Sequence, residues 1–227
     1  AMTTAQIAAL STNQVANGLT TSQIVGLTTA QVGALTTAQA ASLSTTQIAA
    51  ISTATVAALK TSQVAALSTA QLSAGLTTAQ LAAMTTAQIA ALSTNQVANG
   101  LTTNQIVALT TAQAAALSTA QTAALGTSQV AAIETADLAA MKTSQIAALS
   151  TSQVANGLTT NQIVALSTAQ VAALSTAQAA ALSTNQVAAL ETRDLAAMKT
   201  SQIQALSTAQ ISAGLTSAQL AAMTTAQ

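Results

Sequence analysis

The stretch Leu166–Ala173, reading LSTAQVAA, is the unit from which almost the whole 227-residue chain is built. Aligned on its leucine, anchors fall at Met2, Leu10, Leu19, Leu27, Leu35, Leu43, Ile51 and onward to Met223, giving 28 anchors and 27 intervals. Twenty-two intervals hold eight residues and five hold nine. This period constrains the fold more than any other feature. A unit so short cannot bury an apolar face by itself, so copies must stack on one another.

With the leucine as position one, position two is Ser or Thr in 22 of 28 copies, the exceptions being Lys60, Gly126, Glu134, Lys142, Glu191 and Lys199. Position three is Thr except at Ser217, and position five is Gln except at Thr55, Asp137 and Asp194. Position six is Ile, Val or Leu, relaxed to Ala40, Ala114, Thr122 and Ala179, and positions seven and eight are mostly Ala. One continuous helix fails on geometry, because eight residues carry an apolar stripe about 80° past two whole turns. A β-solenoid suits the Thr and β-branched residues. Against it, Leu at one and Ile or Val at six have opposite parity, and Ala, Gln, Leu and Met favour helix. The pattern therefore predicts an all-α solenoid, a superhelix of very short helices with one helix in each eight- or nine-residue repeat. Such helices are too short to stand alone and must be stabilised by stacking. Ala at seven and eight would let neighbouring helices approach closely.

Position two as N-cap makes Ser/Thr-x-x-Gln a capping box, with Leu at one and Ile/Val at six as the hydrophobic staple. Thr at three is the competing N-cap. Five units carry an extra residue, Gly18, Gly75, Gly100, Gly157 and Gly214, each followed by Leu. Gly then Leu at a helix end reads as a Schellman stop, with a left-handed Gly at C′.

Composition narrows the functions. Four basic and four acidic residues give a net charge of zero, and Phe, Tyr and Trp are absent. No basic stripe or aromatic platform is present, so no nucleic-acid partner is expected. Thr and Gln interrupt every octad, so no membrane-spanning run occurs and no membrane insertion is expected. Solubility rests on uncharged polar residues, which makes self-association an expectation. Cys is absent, which excludes disulfides. No signal-peptide pattern precedes the first repeat. Both ends are cut inside repeats, so the chain reads as one repeat array taken from a longer one, with flanking repeats or domains as partners.

No His, Cys or Tyr is available as base or metal ligand, so neither an enzyme nor a cofactor is expected. The one constellation is Glu134 and Asp137 followed by Lys142, repeated as Glu191, Arg193 and Asp194 followed by Lys199. Carboxylates at i, i+3 can share a hard cation. The plainer reading is acids at the positive end of a short helix, with Lys one octad on as a surface partner.

Longer periods overlie the octad. Segments 19–75, 101–157 and 158–214 each hold 57 residues, or seven octads, and align without gaps. Residues 1–18 repeat 83–100 letter for letter. Counting from Met2, the glycine-extended units lead into repeats 3, 10, 13, 20 and 27, spaced 7, 3, 7 and 7. Those spacings fit about 3.5 repeats per superhelical turn, by the logic that makes a and d positions a stripe. They equally fit a record of gene duplication in blocks.

The octads, in runs such as LSTAQVAALSTAQAAAL, resemble those of very large repetitive bacterial proteins of the haem utilisation or adhesion type, over all 227 residues. The resemblance implies an extracellular or cell-surface location and adhesion. Haem finds no axial His or Tyr here, and the five Met occupy anchor positions. A narrower likeness, about nine residues per unit, is to the first helix of transcription-activator-like effector repeats, LTxxQVVAI. The second helix and base-reading loop of those repeats are missing. The functional expectation is a structural spacer in a surface adhesin. The alternative is a repeat module that binds a ligand or ice through a Thr-rich face.

Overall fold

A computed structural model of the chain describes residues 2–225 and 227. Every regular element among the described residues is a helix of five to seven residues, one for each repeat from Thr4–Ala8 to Ser217–Ala222. The chain is thus an all-α solenoid. It divides into two compact units, Ala1–Ala116 and Leu117–Gln227.

Each helix starts at position two. In the helix Thr21–Val25, Thr20 is extended at φ −75°, ψ 160° and its hydroxyl accepts from the Gln23 N–H. Gln23 Oε1 returns the bond by accepting from the Thr20 N–H at 2.8 Å. The same two bonds tie Thr77 to Gln80 and Ser183 to Gln186. They satisfy N–H groups that a helix leaves without partners at its start. Where position two lacks a hydroxyl, only the Gln half persists: the N–H of Lys60 and of Gly126 donates to Gln63 and Gln129 Oε1 at 2.6 and 2.8 Å.

Each helix ends after about one and a half turns, when the chain leaves for an extended Leu such as Leu35 at φ −55°, ψ 140°. Within each unit a helix packs on the helix three repeats later: Thr29–Ala34 on Thr53–Ala57, Thr37–Ser42 on Thr61–Ala65, Thr127–Ala132 on Thr151–Gly157 and Thr176–Ala181 on Thr200–Gln204. The core runs along the inside of these turns. It consists of anchors such as Leu35, Leu92 and Leu166 with position-six residues such as Val64, Ile89 and Leu195. The shortened position-six residues Ala40, Ala114, Thr122 and Ala179 are buried as well. Thr122 fits because its hydroxyl donates to the Ser118 carbonyl at 3.0 Å. Position seven lies on the outer flank, where Val25, Val107 and Val164 are exposed.

The glycine-extended units differ from the sequence expectation. No described glycine has a positive φ, so none is a Schellman C′ residue. The additional residue is taken up inside the helix instead. The Leu19, Leu76, Leu158 and Leu215 N–H groups each donate to the Gln carbonyl five residues back, at 3.0–3.1 Å. Gln14–Gly18, Gln71–Gly75, Gln96–Gly100 and Gln210–Gly214 are accordingly single π-helical turns, the usual result of one inserted residue. Thr151–Gly157 stays α-helical and closes with the same long bond.

Candidate functional site

The chemistry that recurs through both units belongs to the position-five Gln. Its Oε1 accepts from the N-cap of its own helix, which turns Nε2 toward the preceding superhelical turn. Gln63 Nε2 donates to the Val32 and Leu35 carbonyls at 2.9 and 2.7 Å, and Gln80 to those of Ile48 and Ile51 at 2.8 and 2.6 Å. In the second unit Gln162 serves Val130 and Ile133, and Gln186 serves Val154 and Leu158. The acceptor lies 28 residues back for Gln47 and Leu19 and 33 back for Gln105 and Leu72, the two extremes. Together with packing at three repeats, this means that one turn takes between three and four repeats.

One side chain thus closes a helix start and bonds the turn beneath. The anchor carbonyl needs it, because that group sits just outside the N-cap and has no intrahelical donor. From Gln31 to Gln219 every Gln at this position is buried.

Glycine controls how closely these turns approach. A Cβ on Gly75 would lie 3.1 Å from Thr45 Cα, on Gly100 3.0 Å from Leu72 Cδ1, on Gly157 3.1 Å from Val130 Cβ and on Gly214 3.2 Å from the Thr184 carbonyl oxygen. Each of these contacts lies 27 to 30 residues back, in the turn below. Gly18, in the first turn, would meet nothing nearer than its own Gln14 Cβ at 3.9 Å.

The acidic residues take two kinds of place. Glu134 and Glu191 are N-caps without a side-chain cap bond, and Asp137 and Asp194 are buried at position five. Arg193 Nε lies 2.8 Å from Glu191 Oε2 and 3.6 Å from Asp194 Oδ1, so a guanidinium occupies the space between the carboxylates. Thr168 Oγ1 donates to Asp194 Oδ1, while Asp194 Oδ2 is buried without a hydrogen-bond partner. Lys142 and Lys199 are exposed. They serve as N-caps through their backbone N–H. No group of three His, Cys, Asp or Glu gathers among the described residues.

Each unit also carries a concave feature. One opens on the first turn and is lined by Met2, Ile7, Leu19 and Leu27 with Gln23 and Gln31. The other is a shallow depression formed by Thr135, Asn161, Val164 and Ala165. No described helix is long and apolar enough to cross a membrane.

A repeat-family profile described as the ALTTAQ repeat matches the chain six times, over residues 17–45, 41–74, 74–99, 130–168, 156–192 and 187–225. No curated protein matches the chain significantly.

Proposed function

The chain belongs to the ALTTAQ repeat family, and from that premise we propose that it is a structural spacer, a stalk region of a bacterial cell-surface or secreted adhesin, without catalysis of its own. The observation that carries this reading is the use of the position-five Gln. The most versatile hydrogen-bonding side chain of the repeat is engaged by backbone within the array at buried positions such as Gln63 and Gln162. What faces outward is Ser, Thr, Asn and Ala with almost no charge, a surface that solvates the array and offers little to grip. Stability built from contacts between adjacent turns also lets length change by adding repeats without redesigning a core.

Deleting 158–214, one seven-octad block, tests the reading. A spacer keeps its mean residue ellipticity, loses hydrodynamic size in step with the residues removed and leaves a fused terminal domain active. Two results on the intact array would sink it: thermal hysteresis with ice shaping, which would establish the Thr-rich face as a binding surface, or saturable binding of haem seen as a shifted Soret band.

A further inference from the structure

Asp194 stands in the Gln register of the second unit but cannot act as Gln does. In the repeats on either side, Gln186 Nε2 donates to the Val154 and Leu158 carbonyls, and Gln202 Nε2 to those of Val171 and Leu174. The carbonyls between these pairs, those of Ile163 and Leu166, fall beneath residue 194, and no Gln amide among the described residues reaches them. A carboxylate has no N–H to give them. It is also shorter. Gln202 Nε2 lies 2.7 Å from the Leu174 oxygen, so removing one C–C bond of about 1.5 Å leaves the Asp194 carboxylate about 4 Å from the Leu166 oxygen.

The carboxylate is aimed into that gap. Asp194 is 0% exposed, and its Oδ1 accepts from Thr168 Oγ1 in the turn below. Its Oδ2 is the one buried side-chain oxygen among the described residues without a hydrogen-bond partner. A buried charge has to be paired. Arg193 is the cation beside it, but that side chain is 68% exposed, and its Nε lies nearer to Glu191, at 2.8 Å, than to Asp194 Oδ1, at 3.6 Å. Two carboxylates thus share one guanidinium, and one negative charge is left over. The backbone groups beneath it are carbonyl oxygens, which add to the negative potential.

We infer that Asp194 Oδ2, the Ile163 and Leu166 carbonyls and the Thr168 hydroxyl bind a monovalent hard cation of the size of sodium. Every ligand is oxygen, as such an ion requires. The Thr168 hydroxyl gives its proton to Oδ1 and keeps lone pairs for the ion. Sodium has nearly the radius of calcium, and an ion held about 2.4 Å from each oxygen spans the gap. Calcium affinity depends on the number of charged ligands, whereas this set carries one uncompensated charge and suits an ion of charge +1. A water molecule would bridge the same oxygens but leave the carboxylate unpaired. The ion takes the place of the missing amide and ties the repeat of residue 194 to the turn below. It uses one carboxylate, so it is not the ion shared between two acids that their spacing suggests, and it is independent of whether the array acts as a spacer.

Urea unfolding of the intact chain in sodium chloride and in tetramethylammonium chloride, at equal concentrations and neutral pH, tests the inference. Sodium that binds only the folded array should raise the midpoint above that in tetramethylammonium, an ion too large for the gap, and the increment should grow with sodium concentration. Asp194→Asn keeps the shape and removes the charge, while Asp194→Gln fills the gap with its own amide. Both should retain wild-type circular dichroism and show a smaller increment. Arg193→Ala removes a competing positive charge and should enlarge it. Equal wild-type midpoints in the two salts would overturn the inference and leave a bridging water as the occupant. A sodium increment undiminished in Asp194→Asn, or abolished in Arg193→Ala, would overturn it as well.

Discussion

The Nε2 of Gln80 lies 2.6 Å from the carbonyl oxygen of Ile51, twenty-nine residues earlier, while the Oε1 of the same amide holds the Thr77 N–H at 2.8 Å. Gln80→Glu keeps the second bond and reverses the first, setting an acceptor against two buried carbonyls. We expect a loss of about 2 kcal/mol or more in urea unfolding, within the range for burying an unsatisfied polar group. Gln6→Glu, exposed in the first turn, should fall within about 0.5 kcal/mol of wild type. Equal losses at the two sites would show that capping alone explains the Gln.

The N-cap hydroxyl should matter less. Thr77→Ala removes the acceptor for the Gln80 N–H and should cost about 1 kcal/mol. That is smaller than the loss for Gln80→Glu, because the turn-to-turn bonds survive. Lys60 and Gly126 already occupy this position without the hydroxyl bond. A Thr77→Ala variant less stable than Gln80→Glu by denaturant midpoint would reverse the ranking.

Much of this was legible because the octad is locally redundant. Leu at one, Ser or Thr at two, Gln at five and Ile or Val at six specify a short helix from within a single repeat. The second use of Gln lies about thirty residues away, beyond any local pattern. One signal did point to it: Glu also completes a capping box, yet position five is never Glu and departs from Gln only at Thr55, Asp137 and Asp194, so the amide N–H is favoured there. Gly75 and Gly157 misled for a related reason. A Gly before Leu is the local mark of a left-handed stop, whereas these glycines answer to Thr45 and Val130 in the turn below. Asp137 and Asp194 each stand in a Gln position and are buried there, a placement that follows from the octad register and not from the spacing of the carboxylates.

Glycine substitutions separate local from turn-to-turn effects. Gly100→Ala brings a Cβ to 3.0 Å from Leu72 Cδ1 and 3.3 Å from Thr69 Cα. It should destabilise by about 1–3 kcal/mol, as overpacking does. Gly18→Ala meets only its own helix at 3.9 Å. It should be neutral or stabilising by up to about 1 kcal/mol, because Ala restricts the unfolded chain and favours helix. Thermal unfolding of the two variants side by side reads the difference, and a shift of the same sign and size at both would mean that turn contact does not select Gly.

Asp194 gives the opposite test, a gain. Its carboxylate is fully buried, accepts from Thr168 Oγ1 and leaves Oδ2 without a partner. It is also one methylene shorter than Gln and has no N–H to give. By the spacing that places Gln202 on Val171 and Leu174, a Gln at 194 would stand over the Ile163 and Leu166 carbonyls. Asp194→Gln restores the clip and removes an orphaned buried oxygen, at the loss of the Thr168 bond and the ion pair with the exposed Arg193. Two hydrogen bonds to carbonyls at about 1 kcal/mol each outweigh one from a hydroxyl and a surface pair, which leaves a net stabilisation of about 1 kcal/mol. Urea unfolding at neutral pH should show a raised midpoint with an unchanged slope. A lowered midpoint would mean that Thr168 and Arg193 hold this repeat better than the amide can, and that Asp194 is a selected alternative to the clip.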